Sequence, residues 1–170
     1  MWPFRKRDSK STRLQSVTVT IPWVGNATFV PDEAESNAAW SIYVEIVTRV
    51  PTQPLSDGSI REALDSVYRM FVVMRTVLRD SGPRIAHGRD SLAPLILGVL
   101  NDGLRPFLSE WHSKLSAHES TRDTRRGVSE HEALWPERQE FTEALDGLRE
   151  ELERYAEELL KIAGGQVSGD

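Results

Sequence analysis

Phe141, Leu145, Leu148, Leu152, Tyr155, Leu159 and Ile162 follow one another at alternating steps of four and three. Only an α-helix returns side chains to one face at that spacing, and so narrow a stripe is a coiled-coil-like seam. Most of a helix's stability in a protein comes from packing such a face. The seam is therefore expected to bury partly against other rods of this chain and partly against a partner. Glu150–Arg154 and Glu157–Lys161 stand at i,i+4 on the far side, each expected to add about 0.2–0.5 kcal/mol.

The chain supplies further rods. Over 32–50, Trp40, Tyr43, Val44, Val47 and Val50 recur at three- and four-residue steps, and Ala39, Ile42 and Ile46 widen the apolar face. A helix this apolar is expected at the centre of a bundle. The β-branched run "SIYVEIVTRV" also suits a strand, but the acidic, Ala-rich lead-in "PDEAESNAAW" favours a helix. Next, Ser59 and Glu62 form a capping box, and Ile60, Leu64, Val67, Phe71, Met74 and Leu78 make the buried stripe of a helix that Gly82-Pro83 ends. A third rod over 90–117 carries Leu92, Leu95, Ile96, Val99, Leu100, Leu104, Phe107, Leu108, Trp111 and Leu115 in one band. Pro106 removes a backbone donor there, and with Gly103 nearby predicts a kink or short break. After a polar link at 118–128, Ser129 and Glu132 offer a second capping box for the last helix, with Pro136 as the other place for it to begin. Ahead of all four, "SVTVTIPWVGNATFV" (16–30) alternates like a strand or hairpin turning at Gly25-Asn26.

These patterns predict a mainly α chain: a four-helix antiparallel bundle with a short N-terminal extended segment or hairpin. The division is a basic, disordered tail at 1–15, the extended segment at 16–31, the bundle at 32–164 and a disordered C-terminus at 165–170.

Composition removes several chemistries. With no cysteine, disulfides, thiolate catalysis and cysteine-held metals are excluded. "MWPFRKR" lacks the apolar stretch of a secretory signal, so the expected location is cytoplasmic. Residues 1–13 carry five basic groups against Asp8 alone, a net +4, which leaves −9 on the rest of a chain of net −5. An acidic body argues against nucleic acid as a partner. The basic residues Arg5, Lys6 and Arg7 beside Trp2 and Phe4 allow weak contact with an anionic membrane surface. At about 1 kcal/mol per basic residue, such a tail binds only near the millimolar range.

Three constellations carry residue types that chemistry could use. Asn101, Arg105 and His112 share one helical face, which admits an anion clamp and an acid–base group but no nucleophile at helical spacing. The stripe is read instead as structural, meeting carboxylates such as Glu45 or those of the last helix. The histidines His87, His112, His118 and His131 belong to no metal motif, so neither metal nor other cofactor is expected. Arg126 and His131, with four residues between them, resemble the Rx4–6H motif of HEPN ribonucleases, which are also four-helix bundles. That resemblance implies RNA cleavage in which dimerisation brings two Arg/His pairs together and the histidine assists attack of the 2′-hydroxyl on the phosphate. It covers six residues, a chain this rich in arginine produces such a spacing about once by chance, and Gly127 stands where a polar residue is usual.

Taken together, "AAWSIYVEIVTRV", "EALDSVYRMF", "VLNDGLRPFLSEWHSKL" and "EHEALWPERQEF" resemble a family of small helical proteins of actinomycete-type bacteria over about residues 30–163. The resemblance implies a helical fold and brings no activity, cofactor or site; a bacterial defence locus is the setting it suggests. The expected function is a non-enzymatic interaction protein, a subunit or adaptor that meets a protein partner or itself through Leu145, Leu148, Leu152, Tyr155 and Leu159.

Overall fold

A computed structural model of the chain describes residues 15–49, 59–88 and 90–164. The tail residues Trp2, Phe4, Arg5, Lys6 and Arg7, along with Val50 and residues 165–170, lie outside the described residues.

The protein is a mainly helical bundle with an N-terminal hairpin. Strands β1 (Val17–Ile21) and β2 (Gly25–Phe29) pair antiparallel, with Val17 opposite Phe29 and Ile21 opposite Gly25. Alternation then puts Val19, Ile21, Ala27 and Phe29 in the core, while Thr18 and Thr28 share a hydroxyl contact of 2.9 Å on the open face. The turn is Pro22–Trp23–Val24, not Gly25-Asn26, which instead open β2. Val24 N–H closes it onto the Ile21 carbonyl at 3.1 Å, and Trp23 takes a left-handed φ of 64°.

Helix α1 spans Glu33–Arg49 and α2 spans Ile60–Ser81. Asp32 and Glu35 make a reciprocal capping box at the start of α1: each side chain accepts the other's backbone N–H, at 2.8 and 3.1 Å. The face of α1 that enters the core is Ala38, Ala39, Ile42 and Ile46, and it packs on α2 and the last helix. The stripe of Trp40, Val44 and Val47 faces outward, with Tyr43 partly covered, so α1 is an outer rod and not the central one the sequence suggests. Its neighbours cover one side only, and the alanines there let them approach closely. Helix α2 buries its expected residues from Ile60 to Met74, with Leu78 half-buried, and ends where Gly82 turns to φ 64°. A 3-10 turn, Gly82–Ile85, follows.

The third rod is α3 (Leu92–Gly98), a π-helical turn (Val99–Leu104) and α4 (Arg105–Ser120). The break expected near Pro106 takes this form: Arg105 N–H reaches back five residues to the Leu100 carbonyl just before the proline that has no N–H to give. Helix α5 (Val128–Ala133) and α6 (Arg138–Ile162) are separated at Pro136, so the last helix does restart there. No side chain caps α5, whose N-cap is Gly127, and the expected Ser129–Glu132 box is not formed; Glu132 is turned to another helix.

Antiparallel packing is visible in the cross-contacts. Ser36 of α1 donates to the Ile162 carbonyl at the far end of α6, and Arg61 near the start of α2 meets Glu119 near the end of α4. The core's aromatic centre is Trp111, whose ring stands edge-on to Phe141 at 5.3 Å and to Trp135 at 5.9 Å. The ion pairs on α6 run at i,i+3, Glu151–Arg154 and Glu158–Lys161, in place of the i,i+4 pairs expected.

Candidate functional site

Asn101, Arg105 and His112 do face one neighbour, α2, but they meet two different environments along it. Neither contains the carboxylates anticipated from Glu45 or α6: Glu45 is ion-paired with Arg49 on its own helix. Arg105 lies over the ring of Phe71, with the guanidinium carbon 5.8 Å from the centroid. Arg75 lies over the same ring at 5.9 Å. Around them Phe71, Arg75, Leu78 and Arg79 of α2 face Leu97, Leu100, Asn101 and Arg105 across an open cleft of about 210 Å³. Each wall is one helical face, since the α2 residues step by four, three and one, and the opposing residues by three, one and four. Among the described residues neither Arg75 nor Arg105 has an ion-pair partner, and Arg79 has only the exposed Asp80 beside it, at 3.2 Å.

His112 sits two turns along, in a satisfied network. Its Nδ1 is 3.3 Å from Arg61 Nη1, and its ring is edge-on to Tyr68 at 6.1 Å. Arg61 grips Glu119 with two prongs, at 2.9 and 2.5 Å, and that hydrogen-bonded pairing holds the guanidinium pKa above its ordinary value. These groups tie the start of α2 to α4.

Arg126 and His131 engage separate partners. Arg126 reaches Glu130 at 4.0 Å on the exposed link. His131 is buried, and its ring stacks on His118 with centroids 4.0 Å apart and planes 6° from parallel. Each ring's Nε2 lies against the other residue's backbone carbonyl, at 2.8 and 2.9 Å. A carbonyl only accepts, so both Nε2 atoms carry protons and donate. The arrangement is a two-histidine clasp between the end of α4 and α5. Pro136 and the short α5 place His131 there; its Rx4H spacing from Arg126 brings the two side chains to no shared partner.

The α6 seam is internal. Leu145, Leu148, Leu152, Tyr155 and Leu159 are all buried within the chain, so the folded protein has none of them to offer a partner. An exposed apolar face lies on α1 instead: Trp40 is 52% exposed, Val44 37% and Val47 45%. Trp40 and Tyr43 rings lie 5.4 Å apart. On the same helix Ser41 and Thr48 turn their hydroxyls back onto the Asn37 and Val44 carbonyls, at 2.9 and 2.7 Å. From Asn37 to Thr48 the helix carries a single charged residue, Glu45, already paired.

Arg75 and Arg79 were missed from the sequence. The signal available was two arginines at i,i+4, a like-charge pair that destabilises a helix unless something answers it. Among the described residues no three His, Asp or Glu side chains gather to hold a metal ion, and no helix is long and apolar enough to cross a membrane. No family model, curated protein or solved structure matches the chain, and its sites are read from geometry alone.

Proposed function

We propose that the protein is a non-enzymatic interaction module, a helical bundle that self-associates through the outer face of α1 to build a larger assembly. The observation that carries this reading is the exposed stripe of Trp40, Val44 and Val47, with no unpaired charge along the same turns. Interface cores are marked by depletion of charge and enrichment of aromatic residues, and a large aromatic ring is the usual energetic anchor. Covering a valine-sized side chain is worth about 1.5–3 kcal/mol at most, so two such residues and a tryptophan-centred contact suffice for a modest dimer.

A second copy is the occupant favoured. A two-fold axis sets a surface against itself, so any charge on it meets its own kind. The body outside the tail carries −9, and this stripe is a place where two copies meet without that repulsion. Light scattering across a concentration series should show a dimer that Val44→Glu or Trp40→Ser converts to monomer with helix content unchanged. Monomeric behaviour of the unaltered protein at high micromolar concentration rejects the self-association.

A further inference from the structure

Separate from the α1 face, the cleft between α2 and the third rod has the makings of a ligand site. We propose that it binds a small phosphate monoester carried on an apolar or aromatic body. Its rim is cationic: Arg75, Arg79 and Arg105 converge there, and none of the residues lining it is acidic. Several arginines elsewhere on the molecule are answered by carboxylates, as Arg49 is by Glu45, Arg61 by Glu119, Arg138 by Glu132 and Arg154 by Glu151. In the cleft, Arg75 and Arg105 have no carboxylate partner among the described residues, and each lies over the ring of Phe71. Guanidinium groups keep their charge at any physiological pH, so a bound anion would answer two cations that the fold leaves without a carboxylate.

The chemistry of the walls selects the anion. Three guanidinium groups exceed what one carboxylate neutralises, whereas a phosphate monoester brings close to two charges and three acceptor oxygens. Planar guanidinium forks match those oxygens two at a time. Asn101 adds an amide that can donate to the same group or to the body it is attached to. Beneath the rim, Phe71, Leu78, Leu97 and Leu100 form an apolar floor, and Leu97 is 43% exposed there with nothing over it in the fold. A volume of about 210 Å³ suits a single ring and not a large cofactor. All of these residues stand on helices or the π turn, which hold a site more firmly than loops do.

The test is titration calorimetry of the whole chain with phenyl phosphate, alongside inorganic phosphate and benzoate. Saturable binding is expected, strongest for phenyl phosphate and weakened by added salt. Arg75→Ala and Arg105→Ala should each weaken it by about 10-fold or more, the usual cost of losing a charged hydrogen-bond partner. Arg105→Lys, which keeps the charge and loses the fork, should fall between. Both arginines are exposed, so circular dichroism should show the fold intact in each variant. Absence of saturable binding by phenyl phosphate, or equal affinity in all three variants, overturns the proposal. Benzoate binding as tightly removes the phosphate, and inorganic phosphate binding as tightly removes the apolar body. A peptide bearing phosphotyrosine that binds far more tightly than phenyl phosphate would reassign the cleft from a small molecule to a partner protein.

Discussion

Glu132 on α5 caps the start of α2: its Oε1 accepts the Ile60 N–H at 2.6 Å, and its Oε2 accepts the Ser59 hydroxyl at 3.1 Å. The carboxylate is buried, and Arg138 stands 3.7 Å from it. Glu35 acts alike at the other side of the fold, accepting the Leu92 N–H at 3.0 Å where α3 begins without a side-chain cap of its own. Two buried acids thus satisfy orphan amides of helices remote in sequence, and each sits where a helix N-terminus favours negative charge.

Removing the first of these should be expensive. Glu132→Ala leaves the Ile60 N–H buried without its acceptor and strips Arg138 of its counter-charge, so a loss of about 2–3 kcal/mol is expected, beyond an exposed cap's usual cost of about 1. Glu132→Gln keeps one acceptor oxygen and should lose less. Urea denaturation of the two variants measures both; a loss below about 1 kcal/mol for Glu132→Ala would show that the cap is not holding α2.

A second prediction concerns the hairpin tip. Gly103 lies under the ring of Trp23, and a methyl group added to Gly103 would sit 2.7 Å from that ring's Cε3. In most helical positions Gly→Ala stabilises by about 1 kcal/mol. Here the sign should reverse, with Gly103→Ala costing about 1–3 kcal/mol as the tip is pushed off the rod. Trp23→Ala should remove the conflict, so the double variant should be more stable than the sum of the singles predicts. Additive losses in that cycle would mean that ring and glycine are not in contact in solution.

How much of this was legible beforehand follows from which interactions are local. The α6 stripe, the Ser59 cap and the restart at Pro136 are set by residues within a few positions of one another, and the sequence displays them. The Ser129–Glu132 box also looks local, yet Glu132 is drawn to α2 because a buried acceptor for Ile60 N–H outweighs an exposed one on its own helix. The two sides of α1 are both apolar, and only the arrangement of neighbouring rods decides that Ile42 and Ile46 go in while Trp40 and Val47 stay out. The cleft depends on Arg75 and Arg105 reaching one phenylalanine from two helices 30 residues apart, a relation that no periodicity encodes.

The last prediction concerns Tyr155, which is fully buried in the seam, with its hydroxyl lacking a hydrogen-bond partner among the described residues. Burial alone pushes its pKa well above the ordinary tyrosine value, because the phenolate would have to form without water. A folded-state pKa raised above the unfolded value of about 10 means that the contribution to stability is complete below that pH. It is lost as the pH climbs toward the folded-state pKa, since only the unfolded chain then releases the proton, at up to about 1.4 kcal/mol per pH unit. Tyr155→Phe keeps the ring and removes both the titration and the unpartnered hydroxyl. At neutral pH the variant should be as stable as the parent or up to about 1–2 kcal/mol more so. Above pH 10 its advantage should widen by that slope. Urea melts at neutral and alkaline pH test this directly, and a variant that is less stable than the parent by more than about 1 kcal/mol at neutral pH would mean that the hydroxyl has a partner in solution.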